Sequence, residues 1–376
     1  MQIQPFAVEE WMNEFETRCD YNLAETCVES LSIEQLLDLA EQPADQLRDA
    51  LLAMKLTYGD IVGSERLRAL VAGLYDRHGA DDVLITHGAI GANHLVHLSL
   101  VEPGDRVVAA VPNYQQHTSI PASIGADVRP LRLRPENRYL PDLDELAGLV
   151  GDRAKLVAIT NPNNPTGSLM DSGMLSEIVA ICDAAGAWLL CDEVYRGIDQ
   201  DDPGTTASVA DLYERGISTG SMSKAYSLAG LRLGWITGPP DVIRSAMTHR
   251  DYSVISVGMV DDHLACIALE HADRILERNR ALVRANNATL AAWVDEQDDV
   301  SWVRPHGGTT ALLEYALSTP SHDLCVDLLA ETGVLLTPGS ALGVEGTLRI
   351  GYANNPAVLA AGLPLLGEYL HRRSAV

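Results

Sequence analysis

Lysine is almost missing from this 376-residue chain: Lys55, Lys155 and Lys224 are the only three among 27 basic residues. Arginine supplies the rest of the positive charge, and the two cations differ in what they can do. A lysine amine loses its proton and attacks a carbonyl carbon, whereas a guanidinium effectively does not. Lys224 lies in a small, hydroxyl-rich stretch, STGSMSKAYSLAGLRLGW (218–235), with Arg232 following it. Positive charge is scarce altogether, with 52 acidic residues against 27 basic ones and a net charge of −25. That sign argues against nucleic acid as a partner, because phosphate contacts need a basic face. It argues equally against an anionic membrane surface.

Other absences narrow the choice further. The six cysteines (Cys19, Cys27, Cys182, Cys191, Cys266 and Cys325) form no CxxC and no close Cys/His cluster. Reduced, buried thiols are expected, with no metal site. No run of about 18 apolar residues occurs, so no membrane-spanning helix is expected. The first residues, MQIQPFAVEEWMNEFETRCD, are acidic and lack an apolar core, which predicts no secretory leader and a cytoplasmic protein. Hydrophobic content of 47% and charged content of 21% are those of an ordinary globular protein.

What is present is an alternation. After an irregular arm with helical pieces near PFAVEEWMNEF and SIEQLLDLAEQ, the helical pattern SERLRALVAGLYDRHG ends in a glycine, Gly79, placed to cap it. Short apolar runs then alternate with helical ones: VLIT, DRVVAAVP, ADVRPLRL, KLVAIT, WLLCDEVY, ISTGSMS and LRLGWITGP read as strands. Such a rhythm predicts an α/β fold with a mostly parallel central sheet covered on both faces. Beyond about residue 240 the pattern changes to one long helical stretch, DDHLACIALEHADRILERNRALVRANNATLAAWVDEQ. The candidate strands TTALLEYAL, GVLLTPG and LRIGYA then indicate a smaller α+β lobe closed by a C-terminal helix. The expected organisation is an arm and part of a small domain (1–45), a large domain (46–262) and a C-terminal small domain (263–376).

In open parallel sheets ligands sit outside the carboxyl ends of the strands. Four polar segments fall there: HGAIGAN after VLIT, NPNNPTG after KLVAIT, DEVY after WLLC, and SMSK after the run around IST. They bring together a carboxylate (Asp192), an amide (Asn164), a phenol (Tyr195), a lysine (Lys224), hydroxyls (Ser221, Ser223) and an arginine (Arg232). That set suits a charged aromatic cofactor carrying a phosphate and an aldehyde. A lysine provides an imine link. A carboxylate facing a pyridine nitrogen favours its protonated form and makes the ring an electron sink. Hydroxyls, an arginine and amides at a helix start cradle a phosphate dianion.

NPNNPTG, DEVY, SxSK and the Lys224-to-Arg232 spacing together resemble the fold-type-I pyridoxal-phosphate enzymes of the class I/II aminotransferase family, over nearly the whole chain and in the right order. The resemblance implies a large cofactor-binding domain with a smaller one, pyridoxal 5′-phosphate as cofactor, and aminotransferase activity on an L-α-amino acid through aldimine formation at Lys224. It implies Asp192 as the pyridinium partner, and Asn164 and Tyr195 as ligands of the ring's phenolic oxygen. Tyr114, in VPNYQQH, would stack on the ring. Ser221, Ser223, Arg232 and the backbone of Ala89 and Ile90 would hold the phosphate. Tyr58, in TYGDIVGSERLR, would reach the phosphate of a neighbouring subunit, making a homodimer with shared sites; its alternative is core packing. Arg349, in LRIGYA, would grip the substrate α-carboxylate.

The chain also departs from the family pattern. Where relatives often carry a glycine-containing closing segment, it reads YNLAETCVES, placing Glu25 where a cationic substrate side chain would meet it, or as a charge at a helix N-terminus. PHGGTTA (305–311) places the hydroxyls of Thr309 and Thr310 where relatives often have aromatics beside the substrate. LRPENRYLPDLDEL, HRDYSVIS and GGTTAL resemble a capreomycidine-synthase-like branch, whose members eliminate a β-substituent and cyclise. The expected partners are an amino acid and a keto acid. A nicotinamide dehydrogenase is disfavoured, because HGAIGANH is not GxGxxG. A non-catalytic regulator is disfavoured by the lack of a basic helix-turn-helix.

Overall fold

The computed structural model describes residues 2–374. Its centre is a seven-stranded sheet in the order Val83–His87, Leu233–Thr237, Gly216–Ser221, Trp188–Asp192, Ala154–Thr160, Arg106–Val111, Asp127–Arg132. The five strands from Gly216–Ser221 to Asp127–Arg132 pair in parallel, and Leu233–Thr237 runs antiparallel to both of its neighbours. The expected α/β, mostly parallel sheet is what the chain forms.

The apolar strands are continuous because both faces are covered. Val107, Leu156, Leu190 and Ile217 point to one side, against Leu95 and Val96 of the Gly88–Leu100 helix and Ile243 of the Pro240–Arg250 helix. Val108, Val157 and Leu189 point to the other, against Leu146 of the Leu143–Val150 helix and Ile178 of the Ser172–Ala185 helix. The Ser172–Ala185 helix shows how the sequence sets such ends. Asp171 Oδ1 accepts the Met174 N–H at 2.8 Å, and Gly186 stops the helix in the left-handed region at φ 63°.

A second, antiparallel sheet has the order Thr337–Pro338, Thr347–Gly351, Thr310–Tyr315, Val300–Trp302. The helices Ala272–Asp295 and Pro356–Ser374 accompany it. The Tyr21–Asn22 strand of the N-terminal arm pairs in parallel with Val334–Leu335.

Several expectations about elements need correction. The Glu65–Ala72 helix ends at Gly73, not at Gly79. Tyr75 turns inward instead, its hydroxyl 3.0 Å from Ser218 Oγ and accepting the Trp235 Nε1–H at 2.9 Å. The long helical stretch breaks at His271 (φ −121°, ψ 28°) into Met259–Glu270 and Ala272–Asp295. GVLLTPG is two strands, Val334–Leu335 and Thr337–Pro338, in different sheets.

Gly351 joins the arm to the second sheet. Its N–H donates to the Leu23 carbonyl at 2.7 Å, and a Cβ placed on it would lie 1.7 Å from the Glu25 carbonyl oxygen. Backbone against backbone leaves no room for even a methyl group. Gly351→Ala is expected to lower unfolding free energy by about 3 kcal/mol or more. Denaturant titration of the two chains measures it, and an unchanged midpoint would contradict the packing.

Candidate functional site

The carboxyl ends of the parallel strands open on one cavity of about 350 Å³. Because Leu233–Thr237 runs the other way, its amino end, with Arg232, reaches the same edge. The cavity takes Asp192 and Tyr195 from the end of one strand, Ser221, Ser223 and Lys224 from the next, and Asn164 from the NPNNPTG loop. Ala89, Ile90, Tyr114 and Arg349 also line it, and the arm closes it with Glu9, Glu16 and residues 24–27. The residues expected at the site therefore meet in one place, with the exceptions of Tyr58, Thr309 and Thr310.

Asp192 is buried with 5% of its surface exposed. Asn93 Nδ2 donates to its Oδ2 at 2.7 Å and the Val194 N–H to its Oδ1 at 3.2 Å, while Thr219 Oγ1 orients Asn93 by donating to Asn93 Oδ1 at 2.7 Å. His117 Nε2 stands 4.0 Å from Asp192 Oδ2. Burial holds His117 down at about 4, so it is neutral near pH 7 and gives no counter-charge. Burial pushes the Asp192 carboxyl up to about 6, against the pull of Asn93, the Val194 amide and Lys224.

Lys224 Nζ donates to Thr26 Oγ1 at 2.6 Å and contacts Cys27 Sγ at 3.3 Å. Burial disfavours its ammonium, but nearby Cys27, Tyr195 and Glu25 outweigh that and carry the pKa above the ordinary lysine value. Glu25 lies in an irregular segment, so its reading as a helix N-terminal charge is set aside. Its Oε1 accepts the N–H groups of Thr26 and Cys27, both at 2.8 Å. Burial raises its pKa, yet Lys224 and these amides give a net lowering, so Glu25 is a carboxylate.

Arg349 is 2% exposed. Its Nη2 donates to the Ala24 carbonyl at 3.2 Å and Thr337 Oγ1 at 3.0 Å, and its Nη1 to Asn164 Oδ1 at 3.4 Å. Its Nε has no partner. Burial, the largest influence, lowers its pKa. Tyr114 gives its hydroxyl to Glu9 Oε1 at 2.6 Å and tilts against Phe6, with ring centroids 4.6 Å apart.

Tyr58 lies elsewhere, 68% exposed, beside a different hollow with Asp60, Ser64 and Met259; it is not core. Thr309 and Thr310 are also a correction. Both are buried and neither lines the cavity; Thr309 Oγ1 instead donates to the Thr26 carbonyl at 2.7 Å. Sequence reasoning missed Asn93, Thr26, Cys27, Glu9 and Glu16. Only Asn93 carried a local signal, as an amide inside the mostly apolar GAIGANHLVHL helix.

The donor set fits pyridoxal phosphate. A desolvated carboxylate without a cationic partner in contact suits a protonated ring nitrogen. At the other end, Ser221, Ser223, Arg232 and the start of the Gly88–Leu100 helix surround a space suited to a dianion. Gly88 keeps that space open: it has φ +65°, and a Cβ there would come within 3.1 Å of Arg232 Nη2.

Residues 28–361 match the family described as aminotransferase class I and II. Capreomycidine synthase of Streptomyces vinaceus is 34% identical over 83% of this chain and 80% of its own length. The arginine–pyruvate transaminase of Pseudomonas aeruginosa is 28% identical over 81% of this chain and 79% of its own. A solved pyridoxal-phosphate-dependent aminotransferase from Streptococcus suis superposes with a TM-score of 0.96 at 40% identity, covering 99% of each chain. The fold is the aspartate-aminotransferase-like fold type I.

The buried Asp192 gives the cofactor-free chain a pH signature. Its folded pKa is raised from 3.8 to about 6, so the native state binds the extra proton and stability falls as pH rises from about 4 to about 6. A rise of that size is worth roughly 3 kcal/mol. Denaturant titrations across that window should show a loss of this order that Asp192→Asn lacks. Equal slopes for the two chains would refute it.

Proposed function

The chain belongs to the aminotransferase class I and II family, with pyridoxal 5′-phosphate as its cofactor, and from that premise we propose that it transfers the amino group of an L-α-amino acid to a keto acid. The observation that carries this reading is Arg349, a buried guanidinium on the cavity wall that has, among the described residues, no acidic partner and an unsatisfied Nε. A planar carboxylate completes such a group with paired charge-assisted hydrogen bonds. That would hold an amino acid in the cavity that Lys224 also lines.

When bound, the cofactor supplies an aldehyde for amines to condense with and a protonated ring that withdraws electrons from the substrate carbon. Lys224 would hold that aldehyde and, when free, would move the proton at the substrate α-carbon. Asp192 keeps the ring nitrogen protonated, and Asn93 orients its carboxylate. Asn164 and Tyr195 would hold the phenolic oxygen, and Tyr114 would cover the ring. Ser221, Ser223, Arg232 and the backbone of Ala89 and Ile90 hold the phosphate.

Glu9, Glu16 and Glu25 at the arm side of the cavity support a substrate with a cationic side chain. Burial and then the neighbouring Glu25 and Glu9 charges raise the Glu16 pKa, a repulsion that a guanidinium or ammonium would relieve. The likeness to an arginine–pyruvate transaminase agrees. The likeness to capreomycidine synthase supports a second reading, elimination with ring closure on the same cofactor. Incubation with single amino acids and product analysis separates them. A keto acid from arginine or another cationic amino acid is expected, a cyclic product without keto acid would establish the second reading, and no turnover of any amino acid would refute both. Arg349→Ala should lower kcat/KM by about a hundredfold or more. Glu25→Gln should lower it about tenfold for cationic amino acids only.

We further propose a cytoplasmic homodimer, with residues 46–262 as the cofactor domain and 1–45 and 263–376 forming the smaller one. Tyr58 would reach the phosphate of the neighbouring subunit. Its 68% exposure, and that of Leu52, Leu56 and Tyr252 at 81%, 83% and 92%, support a covered surface there. Sedimentation should give a dimer, and Tyr58→Phe should weaken cofactor retention. A fully active monomer would overturn the shared site.

A further inference from the structure

Lys224 is half-buried, its amine turned into the cavity wall, and no carboxylate pairs with it among the described residues. The nearest acid in the arm, Glu25, uses Oε1 for the N–H groups of Thr26 and Cys27. What meets the amine instead is a hydroxyl, Thr26 Oγ1, at 2.6 Å, with the Cys27 thiol beside it at 3.3 Å. Thr26 is itself fixed: its N–H goes to Glu25, and its carbonyl accepts from the buried Thr309 at 2.7 Å. The segment around it is tied down by Leu23 N–H to the Leu335 carbonyl at 3.0 Å and Glu29 N–H to the Ala353 carbonyl at 3.0 Å. A rigid backbone therefore aims one neutral oxygen at the lysine.

Resting on the reading of Lys224 given above, we infer that Thr26 is a positioning residue for it: its hydroxyl holds the amine whenever the amine is not bonded to the cofactor, and so favours exchange of lysine for the substrate nitrogen. In that exchange the substrate nitrogen forms a bond to the cofactor carbon as the lysine nitrogen leaves it. A proton passes from the former to the latter, and no oxidant or reductant enters. The departing amine is then partly withdrawn from bulk water, and an unmade hydrogen bond there costs free energy. A carboxylate would hold it as a locked ammonium. A hydroxyl serves an ammonium or a neutral amine alike, because it both accepts and donates. Lys224 thereby stays in place without a carboxylate in contact with it.

The test uses holoenzyme with Thr26→Val, which keeps the shape and removes the oxygen, and with Thr26→Ser, which restores it. Each is titrated with an amino acid substrate while the cofactor's absorption is followed, then quenched with borohydride and mapped by mass spectrometry. Thr26→Val should shift the titration midpoint to about tenfold higher amino acid, about 1.4 kcal/mol. At a given amino acid concentration it should leave more of the tag on Lys224. Thr26→Ser should stay within about twofold of the parent. If Thr26→Val disturbs folding, Thr26→Ala is read in the same way. A midpoint and tag distribution unchanged in the oxygen-deleted chains, or Ser as impaired as Val, would overturn the inference. Absence of any tag on Lys224 in the parent without amino acid would overturn the lysine assignment as well, so the two failures are told apart.

Discussion

Taking ionisable groups out of water without giving them ionic partners is the constraint on which the rest of this structure depends. Asp192 and Arg349 are buried and Lys224 is half-buried around one cavity, and none of them is paired with an opposite formal charge in contact. Left so, each is costly. The fold tolerates the arrangement by providing neutral hydrogen bonds: the Asn93 amide to the carboxylate, the Thr26 hydroxyl to the amine, the Ala24 carbonyl and the Thr337 hydroxyl to the guanidinium. These keep the groups oriented without a counter-ion in contact, a place that a charged ligand can take.

The scaffold that carries these groups is ordinary. Strands buried on both faces, with alternate side chains filling cores above and below, hold the ends of the sheet in register. One reversed strand, Leu233–Thr237, brings Arg232 to the same edge as the carboxylate and the lysine. The cover comes from elsewhere. The arm supplies Glu9, Glu16, Glu25 and Thr26, and it is fixed to the second sheet by main-chain contacts too close to admit a side chain at Gly351.

The sequence is informative where chemistry and local structure coincide. DEVY ends an apolar strand, so the carboxylate of Asp192 has to lie at a sheet edge, and SMSK places Lys224 beside it in the same way. The sheet itself is legible from the alternation of apolar runs. What escapes are contacts between residues far apart in the chain. Thr26 meets Lys224 across 198 positions, and Tyr21–Asn22 is too short for any alternation to show. The helix expected to run to Gly79 stops at Gly73 because Tyr75 has partners on two distant strands. Thr309 and Thr310 read as cavity hydroxyls because spacing places a residue on a loop but does not say which way it faces. Glu25 stands out in the sequence, yet its bonds to its own neighbours' amides are a property of the loop's shape, which no pattern announces.

The pairing of Tyr21–Asn22 with Val334–Leu335 has a bearing on how the molecule is made. The residues that roof the cavity precede the central sheet in the chain, and the strand that pairs with them follows it. A growing polypeptide can build the central sheet, with its lysine and aspartate, well before the roof has anything to rest on. During synthesis the half-made pocket is open to solvent and to metabolites. Its closure, and with it the placement of Thr26 beside the amine, waits until Val334–Leu335 has been made.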